Sequence, residues 1–175
     1  MAVLVRVAEP HEYDAVGELT VEAYRTLPMD HLWGGYAEEI RDVAARAKEA
    51  DVLVAVDTES GELLGAATFV SEADSSWLEW NQPGDVQFRL LAVSASARRR
   101  GVGEALVRDC ITRAGGRSIL IHTTQWMTSA QRLYERFGFV RDPSCDVPES
   151  VWRSPSMTDV PPEWNGVPFL AYRSG

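Results

Sequence analysis

The chain has little cysteine and little histidine. Among its 175 residues, Cys110 and Cys145 are the only cysteines, and the histidines are His11, His31 and His122. Two cysteines make no disulfide framework, and histidines scattered this widely have no metal-ligand spacing. We therefore predict neither a structural disulfide nor a metal site. Cys110 falls on the apolar side of a predicted helix, which favours a place in the core.

Long apolar runs and excess positive charge are also missing. The amino-terminal run is short and is interrupted by Arg6, and no segment has the length of a membrane-spanning helix. Twenty-six acidic against 17 basic residues give a formal net charge of −9. This charge disfavours nucleic acids and anionic membranes as partners. We predict a cytoplasmic protein in which any anion site is local.

What is present is the composition of one globular domain. Hydrophobic residues make up 45% and charged residues 25%, which are ordinary values for a folded, soluble chain. No repeat or linker divides the sequence, so we expect one domain over residues 1–175. Strand patterns alternate with helical ones, which predicts an α/β fold with a mixed sheet covered by helices.

Hydrophobic periodicity predicts the individual elements. Strands are expected at residues 3–9, 51–57, 62–70, 86–93, 118–124, 139–142 and 169–173, and helices at residues 10–24, 37–50, 101–114 and 129–137. Alternation within residues 86–93 places Phe88 and Leu90 on one face and Arg89 and Leu91 on the other.

Local signals mark the ends of two helices. Gly115 and Gly116 are expected to stop the helix before them. Thr128 and Gln131 have the spacing of a capping box, in which their side chains would satisfy the exposed amides of the next helix reciprocally.

Three arginines precede a Gly-x-Gly turn in SASARRRGVGEALVRDC, residues 94–110. The first amides of a helix have no internal acceptor, and with the helix dipole and local arginines they can bind a phosphate or pyrophosphate. A P-loop is excluded because no lysine is near. A dinucleotide fingerprint is excluded because Leu106 stands where a small residue is needed. The remaining interpretations are another anion cradle or a solvated basic face.

The motif Arg98-Arg99-Arg100-Gly101-Val102-Gly103 resembles the pyrophosphate motif of the GNAT superfamily of N-acyltransferases, Gln/Arg-x-x-Gly-x-Gly/Ala. The segment AQRLYERFGF, residues 130–139, is similar to a later helix of that family, and the resemblance covers about residues 3–140. It implies a mixed, mostly antiparallel sheet of six to seven strands with helices on both faces. It also implies acetyl-CoA as the donor.

The same resemblance implies the donor site. The pyrophosphate would lie on Arg98, Arg99, Arg100, Gly101, Val102, Gly103 and Glu104, and the pantetheine arm would pair with the backbone of Leu91, Ala92 and Val93. Tyr134 would contact the donor and protonate the departing thiolate, although it could instead be a packing residue. Met127 stands where the family often has an asparagine, so either Thr128 or Ser129 replaces that contact or the contact is absent.

The sequence leaves the identity of the general base open. Many relatives have a glutamate where this chain has Gln87, and an amide cannot accept a proton in that role. Asp85 lies on the same strand face, and Glu79 and His122 are further candidates, as is a chain of water molecules. His122 is also compatible with an ordinary strand position.

The acceptor side is indicated by aromatic residues in connecting segments. Six tryptophans lie there or at element ends, with Glu72, Asp74, Glu79 and Asp85 near some of them. Aromatic walls with carboxylates suit a cationic amine. Core capping, or a homodimer contact, explains the tryptophans equally well. Residues 141–168 are either a lid over the acceptor or a wrapped surface segment.

The sequence therefore predicts an acetyl-CoA-dependent N-acetyltransferase that acts on a small primary amine. Two alternatives remain. One is a non-catalytic acyl-CoA-binding or sensing module, and the other is a nucleotide-binding module that uses the same cradle.

Overall fold

A computed structural model describes residues 2–26, 33–148 and 169–175, with the backbone alone for residues 33–35. Within these ranges the chain forms seven strands and five α-helices. The strands are β1 (Val3–Val7), β2 (Asp51–Asp57), β3 (Leu63–Val70), β4 (Gln87–Val93), β5 (Leu120–Thr123), β6 (Val140–Arg141) and β7 (Leu170–Arg173). The helices are α1 (Tyr13–Arg25), α2 (Trp33–Arg41), α3 (Val43–Arg46), α4 (Val102–Ala114) and α5 (Thr128–Arg136).

The strands form two antiparallel sheets that meet at one point. The first has the order β1-β2-β3-β4 and the second the order β5-β7-β6. A parallel bridge between Val86 and Ile119 joins them, where Val86 donates to the carbonyl of Ser118 at 2.9 Å and Leu120 donates back to Val86 at 3.0 Å. Among the described residues, β4 and β5 make no further pairing with each other. The predicted mixed, mostly antiparallel sheet of six to seven strands is confirmed.

Helices cover both faces of the first sheet. Helix α4 packs on one face over the largest core cluster, and α1 to α3 cover the other. Gly65 allows the close approach of α4, because a Cβ there would lie 2.7 Å from the carbonyl oxygen of Ala92 and 3.0 Å from Val102 Cγ1. Cys110 is fully buried in this core, as predicted, and burial raises the pKa of its thiol.

Strand β4 contains a β-bulge. The register pairs Thr68 with Arg89 but Ala66 with Ala92, so β4 has one more residue than β3 over this interval. Leu90 within the bulge has a φ of 52°, a left-handed backbone conformation that is uncommon for a branched apolar residue.

The bulge changes which side chains share a face. Arg89 and Leu90 both lie on the side of Trp77, whereas Leu91 packs against the core under α4. The predicted alternation is therefore wrong beyond Arg89. The extra residue resets the period of two that a regular strand keeps.

The helix predicted over residues 37–50 is two helices. It begins earlier, at Trp33, and is interrupted at Asp42, whose carboxylate accepts the amide of Ala45 at 2.9 Å and caps α3. An aspartate satisfies amides more readily at a helix start than within a helix, which explains the interruption.

The predicted capping box is also wrong. Met127, not Thr128, is the N-cap of α5, and no side chain caps it. Gln131 instead donates to the carbonyl of Thr124 at 2.7 Å. Because the helix begins one residue earlier than a cap at Thr128 would require, that hydroxyl lies within the first turn.

Two further observations bear on the sequence predictions. No helix in the described ranges is long and apolar enough to cross a membrane. Residues 149–168 lie outside the described residues, so the lid or wrapped surface segment over residues 141–168 stays a prediction. Val147, before that stretch, pairs with Phe169, which follows it.

An ion pair supports the junction of the two sheets. Arg173 on β7 contacts the carboxylate of Asp85 at 2.7 Å, and the Asp85 side chain is only 5% exposed. The same guanidinium donates to Ser118 at 2.8 Å and to Asp142 at 3.0 Å. The contact with Asp85 raises the pKa of Arg173. Residues far apart in the chain are thus held where the sheets meet.

We expect Arg173→Met to lower the free energy of unfolding by about 3 kcal/mol, because it leaves a buried carboxylate without its cation. Urea unfolding measures this loss. The matched control is Arg136→Met, which removes an ion pair with Glu104 whose side chains are 62% and 46% exposed and should cost below about 1 kcal/mol. Equal losses in the two variants would contradict a structural role for the Asp85 pair.

Candidate active site

The start of α4 presents unpaired backbone amides. Its N-cap, Gly101, has a left-handed backbone with a φ of 79°. The first hydrogen bond of the helix runs from Ala105 to Gly101 at 3.0 Å. The amides of residues 102–104 precede that bond and have no acceptor among the described residues. Three neighbouring N–H groups at the positive end of a helix dipole form a candidate anion site.

The three arginines surround this site differently. All are exposed, and Arg98 and Arg100 each make one long side-chain hydrogen bond of 3.4 Å. The Arg100 amide already donates to Ala97 at 3.3 Å, whereas the Arg99 side chain has no partner among the described residues. Arg99 is therefore the arginine most free to contact an anion.

The start of α4 packs against α5 and the end of β4. A Cβ on Gly103 would lie 3.3 Å from Leu133 Cδ2 and 3.8 Å from Val93 Cγ2, and Arg136 pairs with Glu104 across the two helices at 2.7 Å. Leu91, Ala92 and Val93 follow the bulge here, on the edge of β4 that has no strand partner in the described part of the chain. A ligand chain could pair along that edge. Ser129 is exposed in the first turn of α5.

Tyr134 lies where the two sheets meet α5. Its ring centroid is 5.6 Å from that of Phe88 on β4 and 6.2 Å from that of Tyr172 on β7. Only 6% of the residue is exposed, and burial raises the pKa of its hydroxyl. No described residue makes a hydrogen bond to that hydroxyl. Tyr134 therefore packs in the core, and its donor role stays a prediction.

The structure separates the three candidate bases. Asp85 lies at the sheet junction, where Arg173 and the amide of Gln82 bind its carboxylate. Glu79 and His122 lie elsewhere, near Arg89, whose charge acts on both of them. Glu79 pairs with Arg89 at 3.1 Å and is 40% exposed.

Gln87 has a structural role that its sequence position did not reveal. Its amide group donates to the carbonyl of Glu79 and accepts the Glu79 amide at 3.1 Å. The residue is buried. An amide can make this paired donor and acceptor contact, and a carboxylate cannot. Gln87 therefore fixes the connection between β3 and β4.

His122 is oriented by a backbone carbonyl. Its Nε2 lies 3.0 Å from the carbonyl oxygen of Cys145, which can only accept, so Nε2 donates and Nδ1 is left as the acceptor of the neutral ring. Burial is the main cause that lowers the pKa of His122. The Trp80 ring lies edge-on at 5.5 Å. His122 is thus a neutral imidazole with a fixed tautomer.

Residues with a left-handed backbone conformation occur at several of these candidate positions. Among the described residues, the three non-glycine positions with positive φ are Trp80, Leu90 and Arg99. They lie beside His122, in the bulge and in the anion site respectively. Such conformations cost free energy and often occur at functional sites.

Several residues of this region were not identified from the sequence as site residues. They are Tyr24, Tyr36, Arg46 and Arg89, which lie around Trp77 on the face covered by α1 to α3. The one available signal was Arg89 itself, a charged residue inside an apolar strand.

The four carboxylates predicted to lie near the tryptophans do not lie together. Glu72 and Asp74 line a separate open cleft of about 570 Å³ together with residues 47–51, and Asp85 is paired at the junction. Glu79 alone of the four stays near Trp77 and Trp80. The Trp33 side chain, Trp152 and Trp164 fall outside what the structure describes. No group of three metal-ligating side chains occurs among the described residues.

Comparison with known proteins adds a family match. The model of the Acetyltransferase (GNAT) family matches residues 13–139. No curated protein matches the chain.

Solved structures share the fold over nearly the whole chain. An N-acetyltransferase from Staphylococcus aureus Mu50 is 17% identical with a TM-score of 0.70, covering 99% of this chain and 98% of its own. A structure from Corynebacterium glutamicum, described as histone acetyltransferase HPA2 and related acetyltransferase, is 25% identical with a TM-score of 0.67, covering 99% and 96%. The protein yncA from Salmonella typhimurium, solved with its cofactor acetyl-CoA, is 17% identical with a TM-score of 0.64, covering 99% and 93%.

We expect Arg99→Gln to weaken coenzyme A binding about fivefold, the effect of losing roughly 1 kcal/mol of charge-assisted contact. Isothermal titration at two salt concentrations measures it, and the variant should show a smaller salt dependence. Lys48→Gln, which removes a charge at the opposite end of the first sheet, is the matched control. An unchanged affinity in Arg99→Gln would place the anion elsewhere.

Proposed function

The chain belongs to the GNAT family of acetyltransferases, and on this basis we propose that it is an acetyl-CoA-dependent N-acetyltransferase acting on a primary amine of a small molecule. The observation that supports this best is the row of free amides at residues 102–104 beside the unpaired end of β4. When bound there, acetyl-CoA supplies the acetyl thioester.

The residues around the start of α4 fit such a donor. The amides of residues 102–104 and the Arg99 side chain bind the pyrophosphate, since they combine free donors with positive charge. The edge of β4 at Leu91, Ala92 and Val93 pairs with the amide groups of the pantetheine arm as a strand would. Ser129 is exposed in the first turn of α5, the helix that packs against the start of α4.

The bulge in β4 binds the thioester carbonyl. A bulge takes backbone groups out of the regular ladder, and here it does so at Leu90 and Leu91. An N–H donated at that point polarises the carbonyl that the amine attacks.

His122 acts as the general base in this proposal. A primary amine reaches the site as an ammonium ion and must lose a proton before it attacks. The Nδ1 of His122 is an unprotonated acceptor and receives that proton directly or through water. Asp85 and Glu79 are less suitable because arginines already bind their carboxylates.

Tyr134 acts as the general acid. Burial raises the pKa of its hydroxyl, so it stays a neutral phenol that can donate. Its ring, on α5, packs against Phe88 of β4. It gives its proton to the sulfur of the departing coenzyme A as the new amide bond forms.

A non-catalytic acyl-CoA-binding module is the second candidate. The observation that favours it is Gln87, which occupies the place of the usual base and is engaged by Glu79. Turnover separates the two functions, because a sensor binds coenzyme A but releases no thiol from acetyl-CoA with any amine.

We expect Tyr134→Phe to lower thiol release from acetyl-CoA about 100-fold across a panel of amines, the usual contribution of a proton donor. The affinity for coenzyme A should stay unchanged. Tyr172→Phe, which removes a neighbouring hydroxyl with weak hydrogen bonds of 3.4 and 3.5 Å, is the control. If wild type binds coenzyme A tightly and releases no thiol with any amine, the sensing module replaces this proposal.

We expect kcat/KM to fall as pH falls through the pKa of His122, because the protonated ring cannot accept a proton. Burial lowers that pKa below its ordinary 6.5, so the decline lies on the acid side of pH 6.5. His122→Gln should be about 100-fold slower and lack this decline. His11→Gln, at an exposed histidine, should keep the wild-type profile. An unaltered acid limb in His122→Gln would assign the base to another group.

A further inference from the structure

Two guanidinium groups lie over one indole ring on the face of β4 covered by α1 to α3. The guanidinium carbon of Arg46 is 5.5 Å and that of Arg89 is 5.4 Å from the ring centroid of Trp77. Arg89 follows Gln87 on β4 and directly precedes the bulge at Leu90, so the pair lies beside the proposed transfer site.

The charge of this cluster is not balanced. Arg89 has one carboxylate partner, Glu79, and also donates to the carbonyl of Trp77 at 2.9 Å. Arg46 is 1% exposed and has no carboxylate partner among the described residues. It donates to the carbonyl of Ile40 at 2.7 Å, and its buried Nε has no hydrogen-bond partner in the described part of the chain. The two guanidinium groups thus have one carboxylate in ion-pair contact among the described residues, and Asp42 acts on Arg46 only at longer range.

The consequence of this imbalance appears in Arg46. Its burial lowers the pKa to about 10, and the nearby charge of Arg89 acts in the same direction. A second negative charge in the cluster would relieve that cost, because an unpaired buried cation is destabilised and a paired one much less so. The cluster therefore favours an incoming anion.

Two tyrosines add neutral donors to the same cluster. Tyr24 on α1 and Tyr36 on α2 are partly buried, and burial raises the pKa of both hydroxyls, while the nearby charge of Arg89 opposes that rise. Both therefore remain phenols at neutral pH. A guanidinium with phenolic O–H groups beside it is a suitable arrangement for a carboxylate.

The negative charge of the cluster, on Glu79, is more exposed than the positive charge of Arg89. Glu79 is 40% exposed, whereas the Arg89 side chain is 21% exposed. Arg89 and Glu79 also both act on His122. A molecule that reaches this cluster therefore meets an arginine for its negative group, a carboxylate for its ammonium group and the proposed base within one small region.

We propose that the acceptor is a small aminocarboxylate, with Arg89 binding its carboxylate and Glu79 attracting its ammonium group before His122 takes the proton. This inference rests on the proposed transferase function and names its substrate class. Arg89 is the specificity-determining residue. Arg46, whose guanidinium lies over the same Trp77 ring and is buried, contributes charge without contacting the acceptor.

The test compares acceptors that differ only in the negative group. Sets are built from an α-amino acid, its amide and its decarboxylated amine, for apolar, aromatic, acidic and basic side chains. For at least one set, kcat/KM for the free amino acid should exceed that for both analogues by at least about 100-fold, since a site that binds a charged group rejects analogues without it.

The variants Arg89→Gln and Arg89→Lys then assign the effect. Arg89→Gln should raise KM for the amino acid about 100-fold, far more than it changes KM for the amide, and should leave coenzyme A affinity unchanged. Arg89→Lys should be intermediate, because a point charge replaces the planar fork. A loss in Arg89→Gln that is equal for all three acceptors would show a structural role alone. Analogues that react as well as the amino acid in every set would overturn the proposal.

A binding measurement separates this proposal from the transferase function. Titration of the same amino acids into the coenzyme A-bound protein should show binding that Arg89→Gln weakens and that the amides do not reproduce. Binding without thiol release overturns the transferase function but retains the aminocarboxylate site. If amines cause thiol release from acetyl-CoA but no amino acid binds, the transferase function is retained and the aminocarboxylate site is overturned.

Discussion

The site depends on one parallel bridge, between Val86 and Ile119, after which β4 and β5 separate. Continued pairing would have used the backbone groups along the edge of β4. Backbone groups of a strand require partners, so an edge inside the fold is a place where an extended ligand can pair. The ion pair of Arg173 with Asp85 holds the bridge in position from the opposite end of the chain. The opening is therefore a consequence of stable packing at the junction.

Residues with a strained backbone conformation lie on both sides of the opening between β4 and β5. The left-handed residues Arg99, Leu90 and Trp80 each cost free energy, of order 1–3 kcal/mol. They are retained because the surrounding packing determines their conformation: α4 lies tightly against Gly65, and Gln87 fixes the connection that contains Trp80. Rigid elements on each side thus hold groups that would otherwise be satisfied internally.

Arg46, which is buried, and Arg173, which is partly exposed, differ in what they do. Arg173 has its carboxylate partners and stabilises the junction, whereas Arg46 has a backbone carbonyl and an aromatic ring. The first arrangement is complete and the second is not. An incomplete buried charge reduces stability, and it is retained most readily where a ligand completes it. This contrast separates the structural face of the fold from the face on which the acceptor is proposed to bind.

The sequence alone was sufficient for most strands and for the turn before α4, because both depend on local pattern, whereas the single helix predicted over residues 37–50 was wrong. Strand β2 has the predicted bounds, and the anion site lies within six consecutive residues, Arg99 to Glu104. Only the tertiary structure decided the faces of β4, the tautomer of His122 and the partners of Gln87, Arg46 and Asp85. Asp85 and Arg173 are 88 residues apart, and the bulge depends on the register of β4 against β3. Hydrophobic periodicity reports which side chains are buried, but the partner of a buried polar group is chosen by packing between distant segments.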